Sequence, residues 1–187
     1  MSESHRDIHT TQADPLAGDD TESLPGDAIA RRHSLGFRIR RWLFQRYFRA
    51  TRCLTLGVRV LVRNETGEVL LVRHTYMPGW ALPGGGVEKL ETAEETVRHE
   101  LMDEAAIRLT ARPRLFGIYA NHAWFPNDHV LLYVVEPGTY ERLPWKPSRE
   151  IAEIGFFAPN ALPEETTAGT RRRIIEVLEG RPPAECW

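Results

Sequence analysis

Apolar residues fall into short strand-like runs on either side of one long stretch with helical period. Leu54 to Val62 and Glu68 to His74 are rich in leucine and valine and flank the polar tetrad Asn64 to Gly67, a pattern that predicts two strands joined by a hairpin turn. Pro113 to Ala120, His129 to Val135 and Ile154 to Ala158 read as further strands, and Thr170 to Leu178 as a closing amphipathic helix ended by Gly180. Between the two groups of strands, Ala93 to Ala106 contains neither proline nor glycine, and Thr92 and Glu95 have the spacing of a capping box, so a helix starts there. No repeat is visible. Strands, helix, strands and a final helix are compatible with a mixed sheet covered by helices on both faces.

The central helix carries the candidate chemistry. At 3.6 residues per turn Glu100 and Glu104 stand one above the other with Asp103 beside them, while Val97 and Leu101 form the adjacent apolar stripe that anchors the helix to a core. Acids grouped in the second half of a helix repel one another and oppose its dipole, so something positive should offset them. Magnesium-like cations take oxygen ligands and are usually held by one or two carboxylates together with waters and substrate phosphates. A solvated helix face with Arg98 and His99 as local partners would be the ordinary explanation of a lone Glu-x-x-x-Glu pair. Gly84, Gly85 and Gly86 after Pro83, and Glu88 and Glu91 after them, favour the metal-phosphate explanation instead. A glycine triplet lets backbone approach a metal or phosphate, although any tight turn has the same requirement.

The stretch from Gly85 to Ile107 resembles the Nudix box, G-x5-E-x7-R-E-U-x-E-E-x-G-U with U a bulky aliphatic residue. Gly85 takes the first position, Glu91 the second, Glu100 and Leu101 the E-U pair, Asp103 and Glu104 the double acid and Ile107 the last aliphatic position; Trp80, Leu82, Pro83 and Gly84 just upstream are also typical. The sequence departs from the box at His99, where the family has arginine, at Asp103 for the first of the paired glutamates, and at Ala106 for the late glycine; Leu90 also replaces a frequent glycine. In the family that arginine holds the neighbouring glutamate, and histidine is a shorter, conditionally charged substitute. Asp103 reaches one methylene less far, and Ala106 is accommodated if the helix runs one residue further.

The resemblance implies the Nudix α/β/α sandwich with a mixed β-sheet, over roughly residues 54 to 180. It further implies a metal-dependent hydrolase in which water attacks a phosphorus atom of a nucleoside diphosphate linked to another moiety. Glu100 and Glu104 would then be catalytic and the principal metal ligands, Asp103 a direct or water-bridged ligand, Glu91 a supporting acid, and Gly85 and Gly86 would shape the loop around Mg2+, or Mn2+ in its place. The water-activating base comes from the helix, as Glu100, or from a later loop, where Glu150 and Glu153 lie. Arg73 either meets a phosphate or forms a surface ion pair. Tyr76, Trp80, Tyr119, Asn121, Trp124 and Phe125 are candidates for holding the nucleobase, each weighed against a place in the core. The alternative to an enzyme is a Nudix-fold nucleotide sensor or regulator weakened at His99 and Asp103.

Composition sets the outer limits. The 187 residues, 42% of them hydrophobic, suffice for one domain with a real core. Cys53 and Cys186 are far apart and lack ligand spacing, so neither a disulfide framework nor a zinc site is suggested and a reducing cytoplasm is expected. No run approaches a spanning helix, and the acidic start is unlike a secretory signal. Residues 1–27 carry seven acids against Arg6 and read as a disordered acidic tail. Residues 28–53 read as a basic amphipathic helix, because Arg31 to Arg52 holds eight arginines and no acid, interleaved with Phe37, Trp42, Phe44 and Tyr47 among others. Docking of residues 31–52 on the chain's own domain is favoured over a peripheral membrane surface, and nucleic acid is least favoured. Residues 181–187 are expected as a C-terminal tail.

Overall fold

The computed structural model describes residues 54–123 and 126–187. The expected acidic tail and basic helix at residues 1–53, and the pocket candidates Trp124 and Phe125, lie outside the described residues.

Among the described residues, eight strands and two helices follow one another: β1 (Thr55–Val62), β2 (Val69–His74), β3 (Trp80–Ala81), α1 (Ala93–Ala105), β4 (Ile107–Leu109), β5 (Arg114–Ala120), β6 (Asp128–Val135), β7 (Tyr140–Arg142), β8 (Ile151–Phe157) and α2 (Ala168–Leu178). Strand β6 runs parallel to β1, in register from Thr55 opposite Asp128 to Val62 opposite Val135, and antiparallel to β5, which makes a mixed sheet of order β1-β6-β5. A second, antiparallel sheet has the order β3-β2-β8, and β4 pairs with β7.

Alternation along the strands explains the layers. Val58, Val60, Val62, Leu131, Tyr133 and Val135 point to one core, which Val97, Leu101 and Ala105 of α1 close. Leu61, Leu132 and Val134 point to the other, with Val69, Leu71, Leu82, Tyr119 and Ile174 of α2. Period-two side chains that are apolar on both faces require cover on both. The result is the expected α/β/α arrangement. Each fully buried leucine or valine contributes on the order of 2 kcal/mol relative to exposure.

Several expectations need correction. The turn at Asn64 does form, with Asn64 Oδ1 accepting from the Glu68 and Thr66 amides and an antiparallel bridge between Arg63 and Val69, but β1 and β2 then part into different sheets. The last strand begins at Ile151 rather than Ile154, and the last helix at Ala168 rather than Thr170, with Thr167 as its cap. Helix α1 starts as expected: Thr92 Oγ1 accepts from the Glu95 amide and Glu95 Oε2 accepts from the Thr92 amide at 2.8 Å. It does not run on through Ala106. That residue takes left-handed dihedrals (φ 51°, ψ 43°), the conformation that the replaced glycine would supply.

The C-terminal residues lie along β5. Ala120 donates to Glu185 O and accepts from the Trp187 amide. The Trp187 ring stands edge-on to Tyr119, and the buried Arg173 guanidinium lies over both rings.

Candidate active site

The glycine segment is an extra edge on β1. Val60 donates to Pro83 O, Val58 donates to Gly85 O, and Val87 donates back to Leu56 O, at 2.8 to 2.9 Å. Gly84 sits at φ 137°, where a Cβ would overlap the Val58 carbonyl, so the chain can lie flat on the strand only as glycine. A Cβ on Gly85 would overlap Glu100 Oε1, whereas one on Gly86 would meet open space. Gly84 is therefore required by the backbone opposite it, a Cβ at Gly85 would displace the Glu100 carboxylate, and Gly86 is under no such constraint.

That segment meets the acid face of α1. Glu104 is 6% exposed, and its Oε2 accepts a 2.8 Å hydrogen bond from the Gly84 amide. Burial pushes its carboxyl up to about 7; the Gly84 amide opposes the shift, Glu100 adds to it, Arg59 opposes it and Glu150 adds again. Glu100 is half-buried and also raised, first by burial, against the pull of Arg59, and then by Glu150, Asp103 and Glu91. The two carboxylates are thus held above the ordinary range, by burial first and with neighbouring acids adding to it. Asp103 is exposed beside them.

Glu91 has a different neighbourhood. His99 Nδ1 lies 2.6 Å from Glu91 Oε1, and the Glu91 carboxyl is held below the usual range by the Thr96 hydroxyl first, then by the Glu88 amide and His99. The histidine in the box's arginine position is exposed and engages Glu91, not Glu100 as the family's arginine implied.

Sequence reasoning missed two residues here. His74, at the end of β2, is buried, with Nδ1 unpartnered and Nε2 3.6 Å from Glu104 Oε1, too far for a hydrogen bond. Burial, then Arg59, lowers its pKa, so it is neutral and forms no ion pair. Arg59 on β1 donates from one guanidinium nitrogen to Gly84 O and, at 3.3 Å, to Leu82 O. A lone cation inside the apolar run of β1 was the available signal.

The remaining candidates separate cleanly. Arg73 and Glu153 pair with each other at 2.5 Å on adjacent exposed positions, which takes Arg73 to the surface-pair outcome. Glu150 is exposed, yet its charge reaches Glu100, Glu104 and Tyr76; Thr75 ties this loop to β2 by donating to Glu150 O at 2.9 Å. Trp80 packs edge-on against Phe157, Tyr119 is fully buried with its hydroxyl on Glu176, and Asn121 donates to Asp128. Tyr76 is the exposed aromatic beside the acids, tilted over the His74 ring at 5.1 Å.

Among the described residues, no three His, Cys, Asp or Glu side chains gather closely enough to enclose a cation by themselves. The donor set still fits a hard divalent ion, because such ions complete an oxygen shell with water and substrate phosphate and need only one or two carboxylates. Raised carboxyls at Glu100 and Glu104 are what the approach of a dication would reverse.

The comparisons agree with this geometry. A family model described as NUDIX domain matches residues 54–178. A Bacillus subtilis (strain 168) protein named "Putative 8-oxo-dGTP diphosphatase" is 27% identical over 126 residues, 67% of this chain and 81% of that protein. A MutT-like protein of Streptomyces ambofaciens is 28% identical over 130 residues, 69% of this chain and 80% of that one. Among solved structures, a MutT NUDIX hydrolase from Burkholderia pseudomallei superposes with a TM-score of 0.57 at 25% identity, covering 67% of this chain and 98% of the other. With a matching domain model over two thirds of its length and the glycine segment seated against the acid face of α1, the chain belongs to the NUDIX family and is a Nudix-type hydrolase.

Proposed function

We propose that this site cleaves the phosphoanhydride bond of a nucleoside diphosphate linked to another moiety, by attack of water on phosphorus, with Mg2+ or Mn2+ bound. The observation that carries this reading is the buried Glu104 carboxyl, fixed by the Gly84 amide and raised to about 7 beside a second raised carboxyl, Glu100. A divalent cation there would supply charge neutralisation of the phosphate oxygens as the anhydride bond breaks. Glu100 and Glu104 are the proposed principal ligands, Asp103 a direct or water-bridged one, and Glu91, steadied by His99, a supporting acid. Gly85 and Gly86 leave the backbone open to the diphosphate. The base that takes the proton from the attacking water is Glu100 or Glu150; Glu153 is unsuited because Arg73 already engages it.

The substrate is a small nucleotide, and 8-oxo-dGTP, for which the Bacillus relative is named, heads the compounds to test. We assign residues 54–180 to the catalytic domain and the chain to the cytoplasm; among the described residues no helix is long and apolar enough to cross a membrane.

The test is a nucleotide panel (8-oxo-dGTP, ADP-ribose, nucleotide sugars, dinucleoside polyphosphates) with Mg2+ or Mn2+, run beside Glu104→Gln. The reading expects product release that falls on the order of 10²-fold or more in the variant. Tight nucleotide binding by the wild type with no product would overturn it in favour of a sensor.

A further inference from the structure

We infer that Arg59 is the positioning cation of this site: from β1 it holds the Gly84 segment in place and balances the charge of Glu100 and Glu104. The inference rests on the acid-site reading above and extends it to a residue outside the Gly85 to Ile107 motif.

Three observations converge. The backbone on either side of Arg59 is bonded to the glycine segment, by Val58 to Gly85 O and by Val60 to Pro83 O, so the side chain folds back over the same segment that its own strand carries. Its guanidinium donates to Gly84 O and Leu82 O, and Gly84 is the residue whose amide grips Glu104. Arg59 therefore reaches the buried carboxylate through one intervening residue. Its charge also acts on both Glu100 and Glu104, against burial and against Glu150.

Other basic side chains among the described residues are paired with acids of their own. Arg73 pairs with Glu153, Arg112 with Glu94, and His99 with Glu91. Helix α1 carries no basic residue in its last turn to serve Glu104 from its own element. A guanidinium suits the position, because it is permanently charged and reaches the Gly84 and Leu82 carbonyls from β1. One guanidinium nitrogen meets both carbonyls while the planar group holds it in place, which an ammonium on a flexible stem does less well.

Charge and hydrogen bonding are separable by substitution. Arg59→Gln removes the charge and keeps a donor for Gly84 O; Arg59→Lys keeps the charge and loses the planar group. The probe is Mn2+ alone, titrated into the full chain and followed by loss of the free-ion electron paramagnetic resonance signal. It is paired with kcat and KM on whichever panel nucleotide turns over, and with a thermal melt.

Removing one positive charge beside two carboxylates strengthens their attraction for a dication, so Arg59→Gln should bind Mn2+ roughly 3- to 10-fold more tightly. Its kcat should nevertheless fall at least about 10-fold, with KM changed less than about 3-fold, because the cluster's geometry and charge are set for turnover rather than for retention. Arg59→Lys should bind Mn2+ within about 2-fold of the wild type and recover part of kcat. A merely structural arginine would instead weaken Mn2+ binding, turnover and melting temperature together in both variants, and that result overturns the inference. Wild-type behaviour of Arg59→Gln in both metal binding and kcat also overturns it, alone. A wild-type chain that takes up no Mn2+ overturns the acid-site reading itself, and this inference with it.

Discussion

Ala106 and Leu90 share one oddity: each occupies a left-handed backbone position, φ 51° and 68°, where a glycine would sit without strain. For a residue with a Cβ this conformation costs about 1–2 kcal/mol. The Ala106 geometry persists because its amide caps the Leu101 and Met102 carbonyls and its own carbonyl accepts from Leu143 at 2.8 Å, while the Trp145 indole satisfies Glu104 O. Ala106→Gly should therefore stabilise the protein. Relief of about 1–2 kcal/mol, less the roughly 0.4–1 kcal/mol by which glycine loosens the unfolded chain, leaves a gain of about 0.5–1 kcal/mol. The midpoint of urea unfolding should rise with an unchanged slope. Ala105→Gly, one residue earlier and inside the helix, should lower it by at least about 1 kcal/mol. A fall in the midpoint for Ala106→Gly would mean that the left-handed turn is not the solution state. Sequence alone showed that alanine stood in a glycine's place, but whether the helix continued or turned there depended on the Leu143 and Trp145 contacts, which come from far along the chain.

Helix α1 and the glycine segment work as a pair, and the sequence disclosed the helix better than the segment. Thr92 and Glu95 mark its start by local chemistry, and Val97 and Leu101 mark its buried face by period, so its position was legible. Strands β3, β4 and β7 were not, since two or three residues are too few to show alternation, and they exist only because longer neighbours supply partners. The three glycines read as a turn, yet their separate duties follow from what lies opposite each: Val58 O for Gly84, Glu100 for Gly85, nothing for Gly86. Alanine substitutions should reproduce that grading. Gly84→Ala combines a backbone overlap with a positive φ and should cost several kcal/mol, about the upper end for single changes. Gly85→Ala presses only on the end of a flexible carboxylate, so unfolding should shift by less than about 1 kcal/mol while kcat drops about 10-fold or more through the displaced Glu100. Gly86→Ala should leave unfolding nearly unchanged and lower kcat less than Gly85→Ala does, because it leaves Glu100 in place. Equal kinetic effects at Gly85 and Gly86 would remove Glu100 from the working site.

Across the whole molecule, the acid cluster is assembled from β1, the end of β2, α1 and the loop before β8, and only the α1 portion lies in one readable stretch of sequence. Arg59 joins it from the middle of β1, His74 from the end of β2 and Glu150 from the loop before β8, residues far apart in sequence. This convergence has a global thermodynamic consequence in the metal-free protein. Glu104 has its folded pKa raised to about 7 from an ordinary 4.5, so below pH 4.5 it is protonated in both states and contributes nothing to pH dependence. Between those values the unfolded chain releases the proton and the folded chain keeps it, so stability falls as pH rises, by roughly 3 kcal/mol in full above pH 7. Glu100, also raised, acts in the same direction. His74 acts in the opposite one: its lowered pKa keeps it neutral when folded, so stability rises as pH climbs through the unfolded histidine's range near 6.5. Glu91, Glu94 and Glu95, held low, lose their contribution only as pH falls below about 4.5 and stay constant above it. Subtracting one variant isolates the dominant group. Glu104→Gln, which keeps an acceptor for the Gly84 amide and never ionises, should match the wild type only below about pH 4.5 and exceed it progressively toward pH 8 in urea unfolding with chelator present. Mn2+ should then reverse the order, stabilising the wild type more at pH 8 than at pH 5 and the variant little at either, because a cation that binds the folded, ionised carboxylate removes its penalty by mass action. Parallel pH curves for the two proteins without metal would show that Glu104 ionises alike in the folded and unfolded chain, and the raised, buried carboxyl from which its role is argued would not exist.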